Sequence, residues 1–205
     1  MGVPAPVYQL GEADYLEIER RAEFKSEFFG GEMFAVAGGS LAHSLIATNL
    51  AAEVRNQLRG RPCVPFNCDL RLKVEPTGLY TYPDLSVVCG PVRFAGPEGD
   101  TIVNPTLLAE VVSESTEAYD RGEKFGHYRQ IASLQEYLLV SQWEPRIEQF
   151  VRQPNGLWLL AVAQGMETSL ELPSLGITIA LGEVFAKVEF TPTPLRARTP
   201  RPRDA

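Results

Sequence analysis

Two apolar runs bracket a stretch of helical spacing, and that arrangement limits the fold more than any other feature of the chain. Residues 106–113, "TLLAEVVS", and 135–142, "QEYLLVSQ", each have the length and apolar content of a buried strand. Between them Asp120, with Glu123 three residues later, forms a capping box that predicts a helix from Arg121 to about Ile131. A helix crossing between two such strands, with hairpins elsewhere, implies an α+β fold: a central mixed β-sheet flanked by helices.

The rest of the chain supplies the hairpins and one long helix. In "KSEFFGGEMFAVAGGS" two short strands surround Gly30-Gly31, whose freedom to take positive φ suits a tight turn. Ser40 caps a helix to about Arg59, with Leu41, Leu45, Ile46, Leu50, Val54 and Leu58 near one face and Gly60 and Pro62 as stops. "CVPFN", "DLRLKV" and "PDLSVVCG" read as strands, with "EPTGLYTY" as a turn region. "QEYLLVSQ", "RIEQFVRQ" and "LWLLAVA" read as an antiparallel meander, its last two strands joined at Pro154-Asn155-Gly156. "GITIALGEVFAKV" adds a strand and a short terminal helix, and "EADYLEIERRA" a surface helix near the start.

At 205 residues one domain is expected, spanning 1–190, followed by a flexible Pro/Arg-rich tail over 191–205. The formal net charge of −7 argues against general electrostatic coating of nucleic acid while leaving room for a local groove. The start "MGVPAPVYQL" has neither a basic n-region nor a continuous apolar core, so a cytoplasmic location without membrane insertion is expected. Cys63, Cys68 and Cys89 lack a zinc-ligand spacing and are expected to be reduced core thiols.

Glu110 stands in the middle of an apolar strand, where an ionised carboxylate needs a partner or a metal. Alternation groups Asp84 with Ser86 and Val88, and Glu110 with Leu108 and Val112. If the two strands are neighbours, Asp84 and Glu110 share a face, and a divalent cation between them relieves their repulsion. Oxygen ligands of this kind suit magnesium or manganese. Lys124, fourteen residues after Glu110, sits in the first turn of the predicted helix and can return its ammonium to the strand. Two carboxylates, a metal and a lysine suit phosphodiester hydrolysis. The chain contains no G-x-S-x-G, G-x-x-x-x-G-K or H-E-x-x-H pattern, and a glycosidase would need neither the metal nor the lysine.

The motifs "YPDLSVVCG", "LLAEVVSESTEAYDRGEKFGHYRQI" and "LQEYLLVSQ", with "EFFGGEMF" and "AHSLI", resemble the Uma-two family of restriction endonucleases, a branch of the PD-(D/E)xK nuclease superfamily. The resemblance covers roughly residues 10 to 185. It implies a restriction-endonuclease-like fold and an endonuclease acting on DNA with magnesium or manganese. Asp84, Glu110 and Val111 are implied at the metal, and Lys124 orients water or stabilises charge. The superfamily tripeptide places lysine two residues after the glutamate, where this chain has Val112, so Lys124 occupies a migrated position. Glu32 is implied as an additional acidic residue, His43 as a supporting group and a homodimer as the assembly. The residues also admit plainer readings: a capped strand start for Asp84, a buried ion pair for Glu110 with Lys124, a solvated carboxylate for Glu32, and packing or bracing for Tyr128. Asp69 and Arg71 read as an edge-strand ion pair or as contacts to phosphate. The rival from another class is a non-catalytic nucleic-acid or partner-binding module of the same fold.

Overall fold

A computed structural model describes residues 9–36 and 38–190. The expected tail, 191–205, lies outside the described residues. Helix α1 (Glu12–Glu19) precedes the hairpin β1 (Ser26–Phe29) and β2 (Glu32–Ala35), and α2 (Leu41–Gln57) follows. Then come β3 (Cys63–Asn67), β4 (Arg71–Val74), β5 (Leu79–Thr81), β6 (Leu85–Cys89), β7 (Thr101–Ile102) and β8 (Leu107–Val112). The connection from β8 to β9 (Glu136–Ser141) is helical: α3 (Glu117–Tyr119), a π-helical stretch (Asp120–Lys124) and α4 (Phe125–Tyr128). The chain continues through β10 (Arg146–Arg152), β11 (Trp158–Gln164), β12 (Ser169–Leu172), β13 (Ile177–Ala180) and α5 (Leu181–Val184).

The central sheet has six strands in the order β11-β10-β9-β8-β6-β3. Only β8 and β9 run parallel within it, as the helical crossover requires; the other pairs are antiparallel. β8 is buried along its whole length, which explains its continuous apolar sequence and makes its one carboxylate conspicuous. On one face α2 lays Ile46, Leu50 and Val54 against Leu85, Val87, Leu107 and Ala109, with the β12–β13 hairpin and α5 completing that core. Leu41, expected on the buried stripe, is 85% exposed as the first residue of the helix, more than a turn before the first buried position at Ile46.

The opposite face is covered by α4 and by a second, five-stranded sheet, β2-β1-β5-β4-β7. Leu72, Val74 and Leu79 of that sheet pack with Val88, Leu108, Val112, Tyr128 and Tyr137. A flanking sheet rather than helices alone was not read from sequence. It exists because Leu79–Thr81, expected inside a turn, forms β5 once Glu75–Gly78 has completed the turn at Gly78 with φ 76°. α1 sits on this smaller sheet through Tyr15, which stacks on Phe28 and meets Tyr80.

Two further expectations change. The crossover helix starts at Glu117 rather than Arg121, because Ser113 and Thr116 exchange backbone-to-hydroxyl hydrogen bonds just before it. Asp120 is therefore a buried residue inside the helix and not its cap. Cys63 and Cys89 face each other in the β3–β6 register and form a disulfide, while Cys68 is free and exposed. None of the three is a reduced core thiol: strand pairing joins two cysteines 26 residues apart, a relation that sequence spacing does not display.

Candidate active site

β6 and β8 are hydrogen-bonded antiparallel neighbours with Leu85 opposite Ala109 and Ser86 opposite Leu108. Extending that register sets Asp84 beside Glu110, as the alternation of each strand predicted. Asp84 accepts a hydrogen bond from the Val111 backbone N–H at 2.8 Å and lies 3.2 Å from His43 Nε2 at the start of α2. Ser40 caps α2 by accepting from the His43 N–H, which fixes the turn that presents this imidazole. The bond to Asp84, more than any other influence, raises the His43 pKa, against the opposing effect of burial.

Glu110 is buried, and its Oε1 accepts from the Tyr128 hydroxyl at 2.7 Å and meets Lys124 Nζ at 3.0 Å. The fourteen-residue return expected for Lys124 is thus realised. Lys124 also stands 3.2 Å from Glu27 and 3.6 Å from Asp120. The π-helical stretch carries both Asp120 and Lys124, and Tyr137 donates to the Asp120 carbonyl to anchor it. Short π-helical segments of this kind are frequent at functional sites. Tyr128 braces Glu110 as well as packing near Lys124, whose ammonium is 5.9 Å from the ring centroid.

The charges are unbalanced. Glu27, Asp84, Glu110 and Asp120 line one open cavity of about 350 Å³ with Lys124 and His43. Burial pushes the Glu110 pKa up to about 8; Lys124 opposes this, and Asp120 and Asp84 add to it. Burial alone would favour the neutral amine at Lys124, yet Glu110, Glu27 and Asp120 hold its pKa well above the ordinary lysine value. Both shifts are upward but for different reasons: burial, with the neighbouring Asp120 and Asp84, raises Glu110, whereas the surrounding carboxylates raise Lys124 against burial. The site thus keeps one buried ammonium among four carboxylates.

Glu32 does not join this cluster. It is exposed at the turn end of β2, opposite Phe29, whereas Glu27 lies two residues further from the turn and reaches Lys124. Glu27 is the functional candidate that sequence reasoning missed. Arg71 is buried on the Asp100 carboxylate and Thr101, and Asp69 pairs with Lys25, so neither lines the cavity and the two do not pair with each other.

Among the described residues no group of three or more His, Cys, Asp or Glu side chains is arranged to hold a metal ion. What the cavity offers is the pair Asp84 and Glu110, hard oxygen donors in a site with surplus negative charge. That set fits magnesium or manganese, which commonly use one or two carboxylates and complete their shell with water and substrate phosphate.

Residues 12–182 match the profile of the Uma2 family, described as "Putative restriction endonuclease". The chain belongs to this family. Two uncharacterized proteins of Synechocystis sp. are similar to it. One is 38% identical over 186 residues, covering 91% of this chain and 96% of the relative. The other is 35% identical over 177 residues, covering 86% of this chain and the full length of the relative. A crystal structure from Anabaena variabilis, described as "a putative nuclease belonging to DUF820", superposes with a TM-score of 0.67 at 18% identity, covering 84% of this chain and 96% of that one. The fold of this Uma2 family member is accordingly restriction-endonuclease-like.

Proposed function

We propose that this Uma2 family member is a divalent-metal-dependent endonuclease that hydrolyses phosphodiester bonds in DNA. The observation that carries the reading is Glu110: a carboxylate in a wholly buried strand, beside Asp84, met by Lys124 at 3.0 Å and open to a cavity. Asp84 and Glu110 would hold magnesium or manganese, with Val111 contributing only through its carbonyl oxygen because its side chain is apolar. When bound, the ion lowers the pKa of a water and polarises the phosphoryl oxygens.

The chain's own groups do the positioning. Tyr128 fixes the Glu110 carboxylate, and the Val111 N–H and His43 fix Asp84. Glu27 and Asp120 keep Lys124 charged and aimed into the cavity, where its ammonium stabilises negative charge building on the phosphoryl group or orients the attacking water. The Glu27 carboxylate is itself held by the Thr81 hydroxyl.

We further infer a homodimer. β11 is an edge strand of the central sheet, and Leu157 just before it and Leu159, Leu160 and Val162 within it are 49–66% exposed. On the nuclease reading we propose a cytoplasmic location; among the described residues no helix is long and apolar enough to cross a membrane.

The test is incubation of supercoiled plasmid with the purified protein in magnesium or manganese, beside Glu110→Gln and Glu32→Gln variants. The reading predicts metal-dependent nicking or linearisation that Glu110→Gln abolishes and Glu32→Gln leaves intact. Cleavage that survives Glu110→Gln, or requires no metal, would contradict it.

A further inference from the structure

The catalytic cavity does not end at the carboxylates. It shares Val36, Gly38, Gly39, His43, Tyr82 and Asp84 with a larger cavity of about 840 Å³ that runs along α2, so the two form one trough. A trough that continues from the reacting groups along α2 fits a chain-like substrate, consistent with an endonuclease.

The walls are unusual for a duplex-DNA binder. The acidic side chains lining the two cavities are Glu23, Glu27, Asp84, Glu110 and Asp120; the ammonium groups are Lys25 and Lys124. Both are already paired, Lys25 with Asp69 and Lys124 with three carboxylates. A duplex presents a dense row of phosphates, and binding it relies on neutralising several of them. Among the described residues, the trough lining supplies no further cations for that task. Its rim instead carries two exposed aromatic rings: Phe24, 78% exposed, beside the larger cavity, and Phe34, 49% exposed, beside the catalytic one. Phe34 lies directly across the β1–β2 hairpin from Glu27, which places its ring next to the acid cluster. Exposing a large ring forfeits burial that the fold has supplied to Phe28 and Phe29 in the same hairpin.

We propose that the trough takes an unpaired DNA strand, with bases stacking on Phe24 and Phe34. The proposal rests on the nuclease reading and deepens it to a substrate class. Stacking needs the flat faces of bases, which a duplex hides and a single strand presents, and it is indifferent to sequence. It also supplies affinity where electrostatic attraction is weak. A flexible single strand can pass its phosphates over the carboxylate site one at a time instead of laying a row of them against acidic walls.

The experiment measures fluorescence anisotropy of fluorescein-labelled oligothymidylate, a duplex of equal length and oligouridylate, with calcium present, for the intact protein and for Phe24→Ala, Phe34→Ala and the corresponding Trp variants. Cleavage of the same DNAs in magnesium or manganese is followed in parallel. Thermal unfolding checks that these exposed substitutions leave the fold intact. The expected result is tighter binding of the single strand than of the duplex, weakened roughly tenfold by each Ala variant and restored by Trp. Duplex bound as tightly as single strand, or Ala variants binding at full strength, overturns the proposal. Oligouridylate bound more tightly than oligothymidylate overturns the choice of DNA. Phenylalanine-dependent binding of the single strand without cleavage in either metal would retain the stacking trough and refute the nuclease reading. Duplex cleavage unaffected by the Phe variants would do the reverse.

Discussion

Replacing Lys124 with Met removes the one ammonium from a buried cluster while keeping most of the side-chain volume. Its Nζ is 3.0 Å from Glu110, 3.2 Å from Glu27 and 3.6 Å from Asp120, and the side chains of Lys124, Glu110 and Asp120 are each no more than 7% exposed. Breaking a buried ion pair by removing one partner typically destabilises by about 3–5 kcal/mol, because the remaining charge is left uncompensated. For a domain of this size that corresponds to a fall in Tm of roughly 6–20 °C. The loss must depend on pH. Without the ammonium, the folded carboxylates bind protons more tightly than the unfolded chain does, so stability falls further as pH rises. Urea unfolding followed by the fluorescence of Trp143 and Trp158 reads both effects. The double variant Lys124→Met with Glu110→Gln should recover part of the loss, since neutralising both partners leaves less stranded charge. A loss below about 1 kcal/mol, the scale of an exposed pair, or one that is the same at acid and alkaline pH, would refute the argument.

Other consequences can be measured directly. Because the folded Glu110 pKa is raised from 4.5 to about 8, its stabilising contribution is full at pH below the lower value and is lost as pH rises through the higher one. Manganese should therefore raise Tm more at alkaline than at mildly acidic pH, and an equal or opposite trend would contradict a cation at Glu110. Reducing the Cys63–Cys89 disulfide, which closes a loop of 26 residues, should lower stability by roughly 3–4 kcal/mol, read as a shift of the urea midpoint between oxidised and reduced protein. Glu27→Gln should slow DNA cleavage and destabilise by about 1–3 kcal/mol, the penalty for weakening a buried polar network, whereas Glu32→Gln should change stability by less than about 0.5 kcal/mol. Equal effects at both positions would remove the distinction the hairpin register draws between them.

The parts legible in the sequence were those fixed by local pattern. Ile46, Leu50 and Val54 recur every four residues, and α2 buries them; Gly30-Gly31 turns the β1–β2 hairpin with both glycines at positive φ. Asp84, Glu110 and Lys124 could be brought together on paper because strand alternation and one short helical return sufficed. Glu27 was missed for a different reason. Glu27, Phe29, Glu32 and Phe34 all point to one side of the hairpin, so alternation could not say how far from the turn the crossover helix would meet it. The Cys63–Cys89 bridge and β5 likewise depend on which strands become neighbours, which is settled by packing between distant segments. The spacing of Asp120 to Glu123 permits a helix cap, but the Ser113–Thr116 hydroxyl turn starts the helix earlier and Asp120 is buried beside Lys124.

The central claim is that the surplus negative charge at Asp84 and Glu110 is a seat for a divalent cation. Titration of manganese into the purified protein by calorimetry, alongside Asp84→Asn and Glu110→Gln, tests it most directly. The account predicts saturable binding to the intact protein that is lost in both variants and weakened at acid pH, where Glu110 holds a proton. Binding that persists unchanged in both variants would contradict it, as would no binding at alkaline pH even with DNA present.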